Sequence, residues 1–170
     1  LCLVPDHMAD LMASEVAPIA ILDTLREARS SVPLDLLAPG TGTLGVMLPT
    51  TPIHHMLARP LPSGESDFDL LVMTSGNLSD EPVVITETEV GSRFGRNVDG
   101  TISYNREIYN RIDDSVAAVA GDDLLILRRA RGYAPAPLRT GFDLEGILGT
   151  GAELTGSFCM GKGNHAIMSQ

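Results

Sequence analysis

Cysteine is scarce in this sequence, which contains only Cys2 and Cys159 in 170 residues. Two cysteines exclude a disulfide framework and a cysteine-based zinc cluster, so we expect a reducing, cytoplasmic environment. Long hydrophobic runs are also missing, since no apolar stretch approaches the roughly 18–20 residues that a membrane helix needs. The opening residues, LCLVPDHMAD, have neither a basic region nor a small-residue cleavage site and do not resemble a signal peptide. With 44% hydrophobic and 20% charged residues, the composition predicts an ordinary globular protein.

Basic residues are few: 12 lysines and arginines face 22 acidic residues, which gives a formal net charge of −10. This balance argues against a nucleic-acid surface that depends on overall charge. The basic residues are nevertheless unevenly distributed, because Arg128, Arg129, Arg131 and Arg139 fall within twelve positions. Guanidinium groups so close together repel one another unless anions lie nearby. The cluster therefore predicts either a phosphate or carboxylate site or a set of internal ion pairs.

Helical patterns begin at recognisable signals. Asp6 is predicted to cap a helix over HMADLMAS, with Met8 and Met12 on one face. Thr86 and Glu89 have the spacing of a capping box, which predicts a helix over 87–94. A third helix is predicted at 53–58, and strands are predicted at 17–22, 43–49, 69–74 and 100–105.

The second half of the sequence favours hairpins. SVAAVA and LLILRRA flank a Gly-Asp turn, which predicts two antiparallel strands. The Pro-rich stretch GYAPAPLRT is typical of a linker. Beyond it, GILGTGAEL predicts one strand, and SFCMGKGNHAIMSQ predicts a hairpin with KGNH at its tip.

These elements predict an α/β or α+β domain built around a mixed sheet. We expect a first domain over 1–139 and the first strands of a second, truncated domain over 140–170. The chain begins at Leu1 rather than at a methionine and ends within an apolar strand pattern. We therefore expect it to be a fragment of a longer protein.

The loop MTSGNLSDEP follows the strand predicted at 69–74 and carries Ser75, Asn77 and Ser79. Side-chain hydroxyls, an amide and backbone N–H groups at the end of a strand can donate hydrogen bonds to phosphate oxygens. The same residues readily form a turn that satisfies its own backbone. The loop alone favours the turn over the phosphate site.

Two other polar groups admit a functional and a structural interpretation. Asp113 and Asp114 precede Ser115, and paired carboxylates can bind the Mg²⁺ that accompanies a nucleotide. Neighbours in an extended segment point to opposite sides, however, so at most one should reach a given ligand. His54 and His55 are adjacent on a predicted helix and do not share a face, so we expect no two-histidine metal site.

Five segments resemble, in this order, the YrdC-like part of the HypF family of hydrogenase-maturation carbamoyltransferases. They are LGVMLPTTPIHHMLA, VMTSGNLSDEP, NRIDDSV, LILRRARGYAPAP and GAELTGSFC with KGNHAIMSQ. The resemblance covers nearly the whole chain, and the combination of SGNLS, RRARGY and GAEL is specific to that family. It implies a YrdC-like twisted mixed sheet with short helices.

The resemblance also implies an activity. In that family the YrdC-like domain uses ATP and carbamoyl phosphate, or the carbamate derived from it, to make carbamoyl-adenylate and pyrophosphate. A following domain transfers the carbamoyl group to the C-terminal cysteine of the partner HypE, as a precursor of cyanide on the iron of [NiFe] hydrogenase. The implied ligands are ATP, Mg²⁺ and carbamoyl phosphate.

Site residues follow from the resemblance motif by motif. Ser75 and Asn77 match positions that contact the nucleotide phosphates and Mg²⁺, and Ser79 lies beside them. Ser115 matches a hydroxyl beside the nucleotide. Arg128 matches the arginine that reaches the phosphates or the acyl-adenylate, supported by Arg129 and Arg131. The expected catalytic residues are therefore Arg128, Ser75 and Asn77.

The sequence also departs from that family. The family's acylphosphatase-like domain and its zinc-binding cysteines are not in this sequence, and zinc is expected only in that missing N-terminal region. A Lys/Arg-containing segment that helps bind phosphates is also missing. Thr50 and Tyr104 replace a usual Tyr and His. We expect this chain alone to be incomplete for carbamoyl transfer and to bind ATP weakly at most. The alternatives are a threonylcarbamoyl-adenylate synthase for tRNA modification and a double-stranded-RNA-binding YrdC-like module.

Overall fold

The computed structural model describes residues 1–25, 27, 32–59, 63, 68–151 and 156–169. Short helices and short strands make a mixed α/β protein in these ranges, as predicted. The helices are α1 (Asp6–Ala13), α2 (Leu34–Leu37), α3 (Pro52–Leu57) and α4 (Glu87–Arg93). The strands are β1 (Ile19–Asp23), β2 (Thr43–Val46), β3 (Val116–Ala120), β4 (Asp123–Arg128), β5 (Leu138–Arg139), β6 (Leu148–Thr150), β7 (Phe158–Lys162) and β8 (His165–Met168). None of the helices in these ranges has the length and apolar character needed to cross a membrane.

The chain divides into two compact units, one of residues 1–56 and 112–170 and one of residues 57–111. The first unit contains two four-stranded sheets, with strand orders β2-β1-β3-β4 and β5-β8-β7-β6. In the first sheet β1 runs antiparallel to β2 and parallel to β3, and β3 is antiparallel to β4. The sheet is therefore mixed, as the alternation of hairpins and helices predicts.

The core of the first unit forms where α1 covers the first sheet. Met8 and Met12 of α1 are 0% and 6% exposed, and they cluster with Ala20, Leu22 and Ala117 from β1 and β3. The predicted apolar face of this helix is therefore confirmed. The predicted cap is wrong, because Pro5 occupies the N-cap position and Asp6 is already the first helical residue. Asp6 still favours the helix there, since a carboxylate in the first turn complements the helix dipole.

Both predicted hairpins form. The turn between β3 and β4 consists of Gly121 and Asp122, and Gly121 adopts a φ of +65°. Such left-handed backbone is easily reached only by glycine, which explains the sharp turn. In the second sheet Gly163 and Asn164 connect β7 to β8 at the predicted tip. This sheet begins at Leu138, and the domain boundary near 139 stays a prediction.

Two predicted strands are wrong. Residues 69–74 and 100–105 belong to no strand, although both segments carry apolar residues. In the first of them Leu70, Leu71, Val72 and Met73 are 45–70% exposed. A strand needs a neighbour that pairs with its backbone N–H and C=O groups. Among the described residues neither segment has one.

Candidate functional site

Ser75 and Asn77 form hydrogen bonds with each other and with the backbone of their own loop, which lies in the second unit. Ser75 Oγ donates a hydrogen bond to Asn77 Oδ1 at 2.5 Å, and the Asn77 N–H donates to the Ser75 carbonyl at 3.0 Å. Asn77 Nδ2 donates to the Leu78 carbonyl at 3.0 Å. These bonds are those of a self-satisfied turn. Ser79 is exposed two residues further on, and contact of all three side chains with a nucleotide stays a prediction.

Residues 81–86, which directly precede α4, are called the strap below. The strap is bonded to the loop by the Val84 N–H, which donates to the Gly76 carbonyl at 2.8 Å. One residue earlier, the Val83 carbonyl accepts a hydrogen bond from Arg111 Nε at 2.6 Å. A short, charge-assisted bond of this kind is stronger than a neutral one. Arg111 therefore restrains the backbone directly beside the bond that reaches the loop.

Glu89 of α4 restrains the other end of the strap. Its Oε2 accepts hydrogen bonds from the Ile85 and Thr86 N–H groups at 2.9 and 3.2 Å. The Thr86 hydroxyl in turn accepts from the Glu89 N–H at 3.2 Å, which completes the predicted capping box. The other carboxylate oxygen, Oε1, lies 3.5 Å from Arg111 Nη2 and 3.6 Å from Arg93 Nη2. One carboxylate thus connects the helix, the strap and two arginines.

These two arginines were not among the residues predicted to matter. Arg93 could have been found, because Glu89 and Arg93 stand four residues apart on one helix, the spacing of a favourable ion pair. Arg93 also bonds Glu81 of the strap at 3.2 Å. Arg111 is 22 residues from Glu89, and no sequence signal relates residues that far apart.

Acidification should weaken the Glu89 contacts. The N–H groups of Ile85 and Thr86 and the nearby Arg93 and Arg111 lower the pKa of Glu89 below its ordinary value near 4.5. The stabilisation is therefore fully present above pH about 4.5 and is lost as the pH falls through the lowered pKa of the folded state. We expect Glu89→Gln to reduce the free energy of urea unfolding at pH 7 and to have a smaller effect at pH 3. Equal effects of the substitution at both pH values would contradict this assignment.

Ser115 lies immediately before β3 and is 0% exposed. Its hydroxyl donates to the Arg131 carbonyl at 2.8 Å and accepts from the Ala130 N–H at 2.9 Å. Ser115 thus satisfies two buried backbone groups of the turn that follows β4, which would otherwise be costly to leave unpaired. Its predicted position beside a nucleotide stays a prediction.

Two of the four clustered arginines, Arg129 and Arg131, bond to the protein itself. Arg131 Nε donates to Asp114 Oδ1 at 2.7 Å, and Arg131 Nη2 donates to the Ala17 carbonyl at 3.1 Å. Arg129 Nη2 donates to the carbonyls of Tyr133 and Ala136 at 3.0 and 2.7 Å. The Arg129 guanidinium also lies 5.6 Å from the centre of the Tyr133 ring, within the range of a cation–π contact. Both arginines therefore stabilise the turn that follows β4.

Arg128 and Arg139 are the exposed members of this cluster, and Arg128 lies at the end of β4. Within the described part of the chain, the hydrogen bond found for the Arg128 side chain is from Nη1 to the Asp114 carbonyl at 3.5 Å, near the limit for a hydrogen bond. Most of its five N–H donors are thus available to a ligand. The two interpretations of the cluster therefore apply to different members. Arg129 and Arg131 form internal bonds, whereas Arg128 is a cation available to a ligand.

The paired carboxylates also differ. Asp114 is bonded to Arg131, whereas the Asp113 side chain is exposed. Over the described residues no group of three or more His, Cys, Asp or Glu side chains could bind a metal ion. These side chains suit a Mg²⁺ ion that arrives with ATP, since such an ion keeps several waters and takes only one or two carboxylates. Asp113 is the available carboxylate of the pair.

The adjacent histidines do not form a site together. His54 Nδ1 lies 3.3 Å from the Thr50 hydroxyl, whereas the side chain of His55 is exposed. The Thr51 hydroxyl accepts from the His54 N–H at 3.2 Å, so Thr51 caps α3 in front of Pro52. His54 is thus bonded to its own segment, whereas His55 faces outward.

The predicted site residues thus form two groups. In the first unit Ser115, Arg128, Arg129 and Arg131 belong to one network around the end of β4, together with Asp114. In the second unit Ser75 and Asn77 bond to each other and Ser79 follows them. The first group presents one available guanidinium, and the second presents a hydroxyl, an amide and backbone N–H groups. Both are suited to phosphate oxygens.

Comparison with known proteins gives a consistent picture. The profile of the Sua5, YciO and YrdC family, described as telomere recombination, matches residues 3–130. The carbamoyltransferase HypF of Rhodobacter capsulatus is 39% identical over 96% of the chain, and that of Rhizobium leguminosarum bv. viciae is 35% identical over 94%. The chain spans 22% and 21% of these two relatives.

Two solved structures are similar to the chain as well. One is full-length HypF in the phosphate- and nucleotide-bound form, with 35% identity and a TM-score of 0.76 over 99% of the chain. The other is HypF of T. kodakarensis, with 32% identity and a TM-score of 0.84 over 99% of the chain. The chain covers 25% and 21% of those two proteins. Residues 152–155, which include most of the GAEL segment, lie outside the described ranges.

Proposed function

The chain belongs to the Sua5/YciO/YrdC family and resembles carbamoyltransferase HypF over nearly its whole length, and from that premise we propose that it is the nucleotide-binding part of such a carbamoyltransferase. It uses ATP and carbamoyl phosphate in the cytoplasm to form carbamoyl-adenylate. The complete protein passes the carbamoyl group to the C-terminal cysteine of a HypE-type acceptor during [NiFe] hydrogenase maturation. The observation that carries the proposal is the 35% identity, over 99% of the chain, to a HypF whose structure contains phosphate and nucleotide.

The chemistry asks little of the protein beyond position and charge. In the complete protein, water first hydrolyses carbamoyl phosphate to carbamate and inorganic phosphate. An oxygen of that carbamate attacks the α-phosphorus of ATP, the bond between that phosphorus and the bridging oxygen breaks, and pyrophosphate leaves with the electron pair. Negative charge grows on the leaving phosphates, so a preorganised cation that contacts them lowers the barrier. Arg128 supplies this cation, because its guanidinium is exposed and nearly free of internal bonds.

The remaining site residues bind rather than react. Ser75 and Asn77 exchange their mutual hydrogen bond for bonds to phosphate oxygens, and Ser79 extends the same surface. Arg129 and Arg131 stabilise the backbone that carries Arg128. Ser115 stabilises the same turn through the two backbone bonds of its hydroxyl, and this hydroxyl lies beside the nucleotide. When bound, Mg²⁺ would neutralise part of the phosphate charge, and Asp113 is the carboxylate that could join its ligands.

The test is exchange of labelled pyrophosphate into ATP by the protein expressed with its complete coding sequence. We expect exchange that depends on carbamoyl phosphate, because pyrophosphate release is reversible while the adenylate stays bound. The matched reaction replaces carbamoyl phosphate with threonine plus bicarbonate, the substrates of the related tRNA-modification enzymes. Exchange with threonine and bicarbonate alone would replace the proposal by that alternative.

The same protein preparation also tests the remaining candidate function, which is binding of double-stranded RNA. A double-stranded RNA ligand would bind with an affinity that falls steeply with salt, through the few basic residues of a chain whose net charge is −10. We expect no salt-dependent mobility shift of double-stranded RNA at the protein concentrations that give exchange. A shift without any exchange would contradict the enzymatic proposal.

A further inference from the structure

We propose that Glu89 and Arg111 are positioning residues for the Ser75–Asn77 loop, and that they set the affinity for ATP through the strap. This inference deepens the proposed function and rests on it. All the residues concerned lie in the second unit, 57–111. Neither residue needs to contact the nucleotide, since both act on the backbone that orders the loop.

The first step is that the strap is bonded at nearly every residue. Arg93 Nη1 donates to Glu81 Oε2 at 3.2 Å and to the Pro82 carbonyl at 3.5 Å. Arg111 bonds the carbonyl of Val83, and Glu89 bonds the N–H groups of Ile85 and Thr86. This six-residue segment, which belongs to no helix or strand, is thus ordered by three charged side chains.

The second step is the place of the bond to the loop. The Val84 N–H, which donates to Gly76, lies between the Val83 carbonyl bonded by Arg111 and the Ile85 N–H bonded by Glu89. The Val83 carbonyl and the Val84 N–H belong to one planar peptide group, so the bond from Arg111 fixes the direction of this N–H, and the bond from Glu89 restrains the next peptide. Gly76 is the residue between Ser75 and Asn77, so this direction determines where the two predicted phosphate ligands stand.

The third step separates positioning from simple helix capping. A capping box requires only Thr86 and Glu89, and both are in place. Arg111 is not part of the capping box, because it lies outside α4 and bonds Val83, which precedes the capped turn. Its second contact, Nη2 to Glu89 Oε1 at 3.5 Å, couples the two restraints. An arginine is needed here, since one planar fork reaches a carbonyl and a carboxylate together.

The experiment compares Arg111→Ala, Arg111→Lys and Glu89→Gln with the wild-type protein, and Arg96→Ala serves as the matched control. Arg96 is an exposed arginine of the same unit, and no hydrogen bond or ion pair of its side chain is found among the described residues. The measurements are the dissociation constant for ATP by calorimetry, the hydrogen–deuterium exchange of the Val84 amide, and the thermal midpoint. The kcat and KM of pyrophosphate exchange are measured in parallel.

We expect Arg111→Ala to weaken ATP binding about tenfold, the effect of losing one hydrogen bond to a charged group. The Val84 amide should exchange about tenfold faster, while kcat stays within about twofold of wild type, because the reacting groups remain. Arg111→Lys should recover part of the affinity, since a lysine keeps the charge but lacks the fork. Glu89→Gln should have a smaller effect than Arg111→Ala, because a glutamine oxygen still accepts from the strap. Arg96→Ala should match wild type throughout.

Two results would overturn the inference: wild-type affinity for ATP in Arg111→Ala, or an unchanged Val84 exchange rate. A fall in the thermal midpoint with unchanged affinity would show a structural role alone and would also overturn it. Failure of the proposed function can be told apart from failure of this inference, because the proposed function is tested by the dependence of pyrophosphate exchange on carbamoyl phosphate. Calorimetry with ATP decides the positioning role even where that dependence is absent, and wild-type protein that binds no ATP would contradict both.

Discussion

Replacing Arg128 with alanine is expected to reduce carbamoyl-phosphate-dependent ATP–pyrophosphate exchange by about 100-fold or more, the usual cost of removing one preorganised donor at a developing negative charge. The expectation follows from the surroundings of Arg128: its side chain is exposed, and the hydrogen bond found for it among the described residues is 3.5 Å long. The thermal midpoint should change little, since exposed residues without strong contacts rarely affect stability. Exchange kinetics and thermal unfolding of the same preparations check both statements.

Two further variants make the Arg128 experiment selective. Arg128→Lys keeps the positive charge but replaces the planar fork with a single ammonium, so we expect partial activity. Arg139→Ala is the matched control, because Arg139 is the fourth member of the cluster, lies exposed on β5 and has no described side-chain contact. Near-normal exchange by Arg128→Ala would remove this residue from the site. An equal loss in Arg139→Ala would show that general charge, rather than the position of Arg128, is responsible.

The parts of the fold that the sequence predicted well depend on local signals. The Thr86–Glu89 capping box lies within four residues, and α4 begins where it indicates. The two-residue turn at Gly121 sets the register of β3 against β4 from Ala117 to Ala120, and the register shifts only between Val116 and Ala117. The resemblance to HypF was also recognisable from the sequence, because its motifs are short and keep their order.

Segment 69–74 shows why local pattern was insufficient elsewhere. Its run of apolar residues is typical of a buried strand, yet Val72 is 70% exposed and the segment pairs with nothing among the described residues. Whether an apolar run becomes a strand depends on a partner that lies far away in sequence. The sequence pattern shows that the side chains are apolar, but it does not show which residues pack against them.

The candidate site shows the same division. Sequence placed three arginines together but did not distinguish them, since each carries the same charge at nearly the same position. Their roles differ only through partners such as Asp114, 17 residues from Arg131, and the Ala17 carbonyl, 114 residues away. Arg111 went unnoticed for the same reason. Functional roles that depend on distant contacts require coordinates.

Gly132 is a position at which a single added methyl group is expected to be strongly destabilising. Its φ is +89°, and a Cβ built on it would lie 2.5 Å from the Cα and 2.9 Å from the carbonyl oxygen of Val16. Both are backbone atoms, which cannot move aside as a flexible side chain can. We expect Gly132→Ala to lower the free energy of unfolding by about 2–5 kcal/mol, from about 1–2 for the left-handed backbone and about 1–3 for overpacking. Urea unfolding followed by circular dichroism measures the change.

Gly121→Ala provides the control that separates the two costs. Gly121 has a similar φ of +65°, but a Cβ there would meet nothing within 4 Å. Its substitution should therefore cost only the backbone term, about 1–2 kcal/mol. The difference between the two variants measures how closely the turn after β4 approaches the segment at Val16, the same segment whose Ala17 carbonyl Arg131 bonds. Equal costs for Gly132→Ala and Gly121→Ala would mean that this approach is looser than described, and the rigid support inferred for Arg128 would then be lost.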